Sequence, residues 1–267
     1  MRKEKDHWRL LSNGPRQAGH APIGTTAARL RPASVMTIDW NEPITGAYCE
    51  RLAPGLLGEP LNALSSLLVL AISLLAFLHV MRRHAVTPGV MALMGLAIAI
   101  SVGSLLLHTF ATRWAELADV LPIWGFVAVY GAFALRNSPR RLAGVPLALV
   151  LGITVFIAGL VLSLRGTHMV GDTVSGSTQY LPALLVAVAG GRMLWRERHP
   201  SLRLIAIAAG LFVLSFSFRS LDIPLCGMFP AGTHFLWHIT NCLAFGVLLA
   251  AMIRYPASDG TADRPQV

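Results

Sequence analysis

The chain has 267 residues, of which 54% are hydrophobic and only 13% charged, against roughly 25% charged in an ordinary soluble domain, which excludes a water-soluble fold. A net charge of +9 does not make it a nucleic-acid binder, because the basic residues fall in an N-terminal tail and between apolar runs, as in the loops of membrane proteins. The three cysteines, Cys49, Cys226 and Cys242, include no CxxC pair, which excludes a zinc ribbon or a dense disulfide scaffold and allows at most one disulfide within the chain.

Residues 1–35 are polar, hold both lysines and show no apolar periodicity, so they read as a disordered basic tail without the apolar core of a cleavable signal. Met36 opens a tract that looks like the start of the functional chain; the tail is then either a mis-assigned translation start or dispensable. Residues 36–59 form an acidic, cysteine-bearing tract. Apolar runs follow at 60–81, 88–110, 119–136, 144–164, 177–195, 202–219 and 233–253, each long enough to cross a hydrocarbon core about 30 Å thick. The expected fold is an all-α integral membrane bundle of seven transmembrane helices over 60–254, followed by a short polar tail, 255–267. The many Gly, Ala and Ser residues inside the runs are what close helix contacts in lipid favour.

Seven spans place the N-terminal tract and the links after the second, fourth and sixth helices on one side. That side carries Arg51, Arg113, Arg165 and Arg219, whereas the other carries Arg82, Arg83, Arg136, Arg140, Arg141, Arg192, Arg196, Arg198, Arg203 and Arg254. The positive-inside bias therefore puts the C-terminus in the cytoplasm and the N-terminal tract outside, although seven basic residues before Met36 pull the other way.

Ionisable groups within a membrane are costly, so their positions call for a reason. His108 is expected to close the second helix, Asp119 to open the third, and His234 and His238 to open the seventh, so four groups able to build a metal site share one membrane face. A spacing of four puts the imidazoles of His234 and His238 on one helix face, and Ser104 and His108 repeat it. Three imidazoles with a fourth position for water make a catalytic zinc site, in which the water pKa falls to about 7. Asp119 would take the proton from that water, and Ser104 would donate a hydrogen bond to the developing oxyanion. A histidine pair at this spacing is also a common structural feature, and Ser104 by itself is a packing residue; the third histidine and the aspartate on the same face favour the chemical reading. Histidines on different helices also suit b-type haem.

Gly103-Ser104 with His108, Glu116-Leu-Ala-Asp119 and His234-Phe-Leu-Trp-His238 resemble the three signature segments of the alkaline ceramidases, seven-helix membrane hydrolases with a buried zinc. Tyr48-Cys49-Glu50-Arg51 and Glu59-Pro-Leu-Asn62 resemble the N-terminal signature of their bacterial branch, and Arg219-Ser-Leu-Asp222 with Cys226 resembles the link before the last helix. The resemblance runs from about Asp39 to the end of the seventh helix. It implies zinc on His108, His234 and His238, Asp119 as general base, Ser104 as oxyanion stabiliser and a disulfide between Cys49 and Cys226. It also implies a calcium site near the N-terminal signature. Ala47 stands where the family pattern has an aspartate, so the candidate ligands are Asp39, Glu42, Glu50 and Glu59, equally readable as interfacial carboxylates paired with Arg51 or Arg219.

The expected function is hydrolysis of the amide of a ceramide-like membrane lipid to a fatty acid and a sphingoid-type base, in a bacterial inner membrane with the active site facing outward. No nucleic acid and no obligate protein partner are expected. Adiponectin- and progestin-receptor relatives share the Ser, Asp and three-His constellation, so the alternative is a receptor-like or sensory membrane protein with a structural zinc.

Overall fold

The computed structural model describes residues 39–51, 57–82, 87–136, 145–166 and 177–255. The tail 1–35, the tail 255–267 apart from Tyr255, and Arg83, Arg140 and Arg141 lie outside the described residues. Among the described residues the chain is helical: α1 Pro60–Arg82, α2 Pro88–Phe110, α3 Arg113–Arg136, α4 Val145–Gly166, a 3-10 turn Ser177–Tyr180, α5 Leu181–Arg196, α6 Leu202–Leu221 and α7 His234–Arg254. Consecutive helices pack on each other, and α7 returns to α1, which closes the bundle into a ring.

Five helices, α1, α2, α3, α6 and α7, are long and apolar enough to cross a membrane. The expectation of seven spans is met to that extent; α5, with 16 residues, rises only about 24 Å. The side chains of α1 are arranged inside out for a protein in water. Its buried residues are Asn62, Ser65, Ser66, Ser73 and Val80, while Leu64 and Leu75 are 61% and 67% exposed. A continuous leucine face of this kind is stable against lipid and not against water.

Local chemistry explains where helices begin. Pro60 and Pro88 occupy first-turn positions, where a missing amide proton costs nothing, and Thr87 Oγ1 accepts the Val90 amide. The α3 boundary differs from expectation: α3 starts at Arg113, six residues before the apolar run at 119, so Asp119 lies in its second turn and does not open it. The reason is non-local. Glu42 and Trp40 supply backbone carbonyls to the amides of Arg113 and Trp114, and this cap lets a polar first turn be helical. Only Ala111 and Thr112 separate α2 from α3, with Ala111 at φ 45° turning the chain. Helix five begins at Leu181 where 177 was expected, because Pro182 cannot donate the α-type bond to residue 178 and a 3-10 turn precedes it.

Two glycines let backbones meet at the end of the bundle that holds the histidines. A Cβ on Gly103 would lie 2.1 Å from the Ala118 carbonyl oxygen and 2.8 Å from Asp119 Cα, so α2 and α3 touch beside Ser104. Gly232 has φ 65°, and a Cβ there would lie 2.2 Å from Asp222 Oδ1 and 2.7 Å from Cys49 Cβ.

Candidate metal centre

His108 stands in the last turn of α2, His234 at the first residue of α7 and His238 one turn further on. All three are buried, and one ligand atom from each lies within 4.8 Å of the others; among the described residues no other group of three His, Cys, Asp or Glu meets that condition. Helix geometry brings the α7 pair to one face, and packing of α2 against α7 adds the third imidazole.

The hydrogen bonds around the rings decide which nitrogens face the centre. His108 Nδ1 bonds to Glu59 Oε2, so Nδ1–H donates to the carboxylate and Nε2 is left with a lone pair. His238 Nδ1 is 2.7 Å from Ser65 Oγ, and Ser65 Oγ lies 2.9 Å from the Asn62 carbonyl. With Ser65 donating to that carbonyl, it accepts from His238 Nδ1, which again leaves Nε2 unprotonated. The two Nε2 atoms are 3.2 Å apart, close to the roughly 3.3 Å that a tetrahedral ion with Zn–N bonds of about 2.0–2.1 Å imposes. Two lone pairs facing each other in a buried site call for a cation between them. His234 Nδ1 is buried without a hydrogen-bond partner, as a ring awaiting a ligand would be. The residues present therefore fit a metal ion. They do not fit haem, since ring centroids 4.7 to 5.2 Å apart leave no slot for a porphyrin between any two of them.

Ser104 Oγ lies 3.3 Å from His238 Nε2 and 3.0 Å from Ser66 Oγ. Ser66 has one proton and two acceptors in reach, Ser104 and the Asn62 carbonyl at 2.8 Å; when it turns to Ser104, the Ser104 proton is left for another oxygen. The Asp119 backbone meets α2 at Gly103, the residue before Ser104, and its carboxyl couples electrostatically to His108 and Arg219. The three histidines expected to hold a metal thus lie together, with Ser104 beside His238.

The four candidate calcium ligands do not come together. Asp39 Oδ1 accepts its neighbour's Asn41 amide, and Glu42 pairs with Arg113 at 2.6 Å. Glu50 accepts the Leu61 and Asn62 amides at 2.6 and 2.9 Å, which makes it the cap of α1, where a carboxylate also meets the positive end of the helix dipole. Glu59 is bonded to Arg51, His108 and Asn62. Burial alone would raise the Glu59 pKa, but the hydrogen bond from His108, joined by those from Asn62 and Arg51, outweighs it and holds the carboxyl below its ordinary value. These residues do not fit calcium, which wants six to eight oxygens on one ion. Arg51, which also donates to the His108 carbonyl at 3.2 Å, is the cation that balances Glu59.

Cys49 and Cys226 form a disulfide with Cα atoms 5.4 Å apart, and Asp222 stitches the same junction. Its Oδ2 accepts the Cys49 amide at 2.9 Å, and its Oδ1 accepts the Thr233 and His234 amides at 2.7 and 2.9 Å. The start of α7, and with it His234, is therefore tied to the N-terminal tract. Tyr48, one residue before Cys49, lays its ring 4.2 Å from that of His234 and 5.0 Å from that of His108. Burial holds its phenol above the ordinary value against the opposing charge of Arg219.

Sequence reasoning missed Ser65, Ser66 and Asn62, and gave Glu59 and Asp222 no part in orienting the histidines. The signal for the first three was present: Asn62, Ser65 and Ser66 recur at three- and four-residue spacing in a run otherwise rich in leucine. Below the centre, a cavity of about 1030 Å³ lies among α3, α4, α5, α6 and α7, walled by residues such as Phe126, Val155, Ala187, Phe212 and Leu248. None of the three histidines lines it. No family model and no curated protein matches the sequence.

Proposed function

We propose that this chain is a zinc-dependent amidohydrolase that crosses the membrane seven times and cleaves the amide of a ceramide-like lipid to a fatty acid and a sphingoid-type base. The observation that carries this reading is the buried three-histidine group whose Nδ1 atoms on His108 and His238 are tied to Glu59 and Ser65, so that both Nε2 atoms face inward. His108, His234 and His238 would hold the ion. When bound, zinc supplies a positive charge that polarises a carbonyl and acidifies water near neutral pH.

The chain's own groups do the rest. Asp119, whose backbone meets α2 at the residue before Ser104, takes the proton of the attacking water and returns it to the leaving amine. Ser104 donates its hydroxyl to the oxygen on which charge develops. Arg51 and Glu59 keep the His108 ring in place, as a carboxylate behind a ligating histidine does. The substrate class follows from the resemblance of these residues to the alkaline ceramidases. The exposed arginines at the far end of the bundle, Arg82, Arg192, Arg196, Arg198, Arg203 and Arg254, favour a cytoplasmic C-terminus and a metal end facing outward.

Purified protein should contain one zinc per chain and release fatty acid from a labelled N-acyl sphingoid base, with both lost after chelation and restored by zinc. Zinc held at full stoichiometry by a protein that releases no fatty acid would turn the reading to a receptor with a structural metal.

A further inference from the structure

Arg219, in the last turn of α6, is a cation beside the metal centre that the steps above leave unused. Its guanidinium carbon lies 5.8 Å from the Tyr48 ring, 5.3 Å from Tyr180 and 5.4 Å from Trp237, so three aromatic faces enclose it. Tyr48 and Trp237 are also ring neighbours of His234. Arg219 acts electrostatically on His234, His238, Asp119 and Glu116. Yet among the described residues it forms no ion pair: the pairs present are Arg51–Glu59, His108–Glu59 and Arg113–Glu42. Its Nε is buried with no hydrogen-bond partner.

The contacts around Arg219 stabilise a cation, the Tyr48 hydroxyl by a hydrogen bond and the rings by their faces, and among the described residues no carboxylate lies within ion-pair distance of it. Aromatic faces offer diffuse negative potential and the Tyr48 hydroxyl a neutral acceptor, which leaves the Nε donor unmet and the charge without an anion. A buried charge with an unmet donor is expensive to keep, and guanidinium is the side chain whose donor fork matches a planar two-oxygen anion. Phosphate shares that chemistry, but the apolar surroundings of Tyr180, Trp124 and Trp237 favour a singly charged head on an apolar body over a doubly charged one.

We propose that Arg219 is the carboxylate-binding residue of this site and that the ligand it holds beside the three histidines is a long-chain carboxylate. Under the hydrolase reading this ligand is the fatty acid released by amide cleavage. Arg219 then holds the product head group, and product release is set partly by this contact. The binding itself does not require turnover.

The test is equilibrium binding of radiolabelled laurate to the purified, zinc-replete full chain in detergent, with dodecanol, dodecylamine and dodecyl phosphate as competitors. Laurate should bind saturably, and dodecanol and dodecylamine should displace it at least tenfold less well. Arg219→Gln should weaken laurate binding at least tenfold at unchanged zinc content, and Arg219→Lys should restore part of the loss. Equal laurate affinity in Arg219→Gln and the natural chain, or displacement by dodecanol as strong as by laurate itself, overturns the assignment. Preference for dodecyl phosphate overturns the choice of carboxylate. If Arg219→Gln does not fold, Arg219→Lys and the zinc-free natural chain carry the comparison: laurate binding kept without zinc and weakened at least tenfold in Arg219→Lys supports the assignment, and laurate binding lost with the zinc overturns it. Laurate bound through Arg219 by a protein that cleaves no amide leaves this inference standing and removes the hydrolase reading. Cleavage with Arg219-independent laurate binding does the reverse.

Discussion

Arg51 and Arg196 carry the same charge at opposite ends of one helix bundle and meet opposite surroundings. Arg51 is enclosed, bonded to Glu59 and to the His108 carbonyl. Arg196 is exposed at the end of α5, like Arg82, Arg198, Arg203 and Arg254 around it. The histidine end gathers polar groups from α1, α2, α3, α6, α7 and the N-terminal tract into shared hydrogen bonds, and only glycine fits against the α3 backbone at 103 and against the Asp222 carboxylate at 232. The arginine end packs Val90, Leu93, Met94, Phe126, Leu249 and Met252 and leaves its charges to solvent. Its glycines at 190 and 191 have nothing within 4 Å of an added Cβ. Among the described residues the polar network with fixed hydrogen-bond geometry is at the histidine end, which is what a site needs and a membrane anchor does not.

The sharpest way to break this contrast is to remove one histidine from each end. His238→Ala should abolish stoichiometric zinc, since a three-ligand site loses its geometry with one imidazole, whereas His199→Ala, whose ring bonds only Ser201 in the loop after α5, should leave it intact. Metal analysis of the two purified variants decides, and equal zinc in both would mean that the histidine end is not a metal site.

Next come the groups that act beside the metal. Asp119→Asn should keep zinc and lower turnover by roughly 10² to 10⁴, and Ser104→Ala by roughly 10² to 10³. Loss of zinc from the first at unchanged stability would make Asp119 a ligand. Near-normal rates in the second would return Ser104 to packing.

The glycines sharpen the comparison in stability. Gly103→Ala should cost about 1–3 kcal/mol or more, because the new Cβ overlaps the α3 backbone. Gly190→Ala meets open space and should gain up to about 1 kcal/mol from helix propensity. Unfolding midpoints in one detergent measure both, and a Gly103→Ala protein as stable as the natural chain would show that α2 and α3 do not touch there.

Much of this was legible before any fold was known, because it is local or periodic. Seven apolar runs correspond to the seven helices, with boundaries displaced most where a distant segment intervenes, as Trp40 and Glu42 do at the start of α3. The i, i+4 spacing of His234 and His238, and the single face that they share with His108 and Asp119, follow from helix geometry and from counting crossings. The carboxylates were another matter. Glu42, Glu50 and Glu59 look alike in the sequence, and the reading that grouped them around calcium had no way to see that one would meet Arg113, one the amides of α1 and one the Nδ1 of His108.

Composition and periodicity by themselves determined that the chain is helical and apolar and that its ionisable groups gather at one end, since these depend on residues within a turn or a span of each other. Only the tertiary structure decided the inward direction of the His108 and His238 Nε2 atoms, the cap on α1, the junction at Asp222 and the isolation of Arg219. Each depends on partners far apart in the chain, 49 residues between His108 and Glu59 and 173 between His238 and Ser65, and a hydrogen bond is fixed by sub-ångström distance and angle, which no spacing along a sequence encodes.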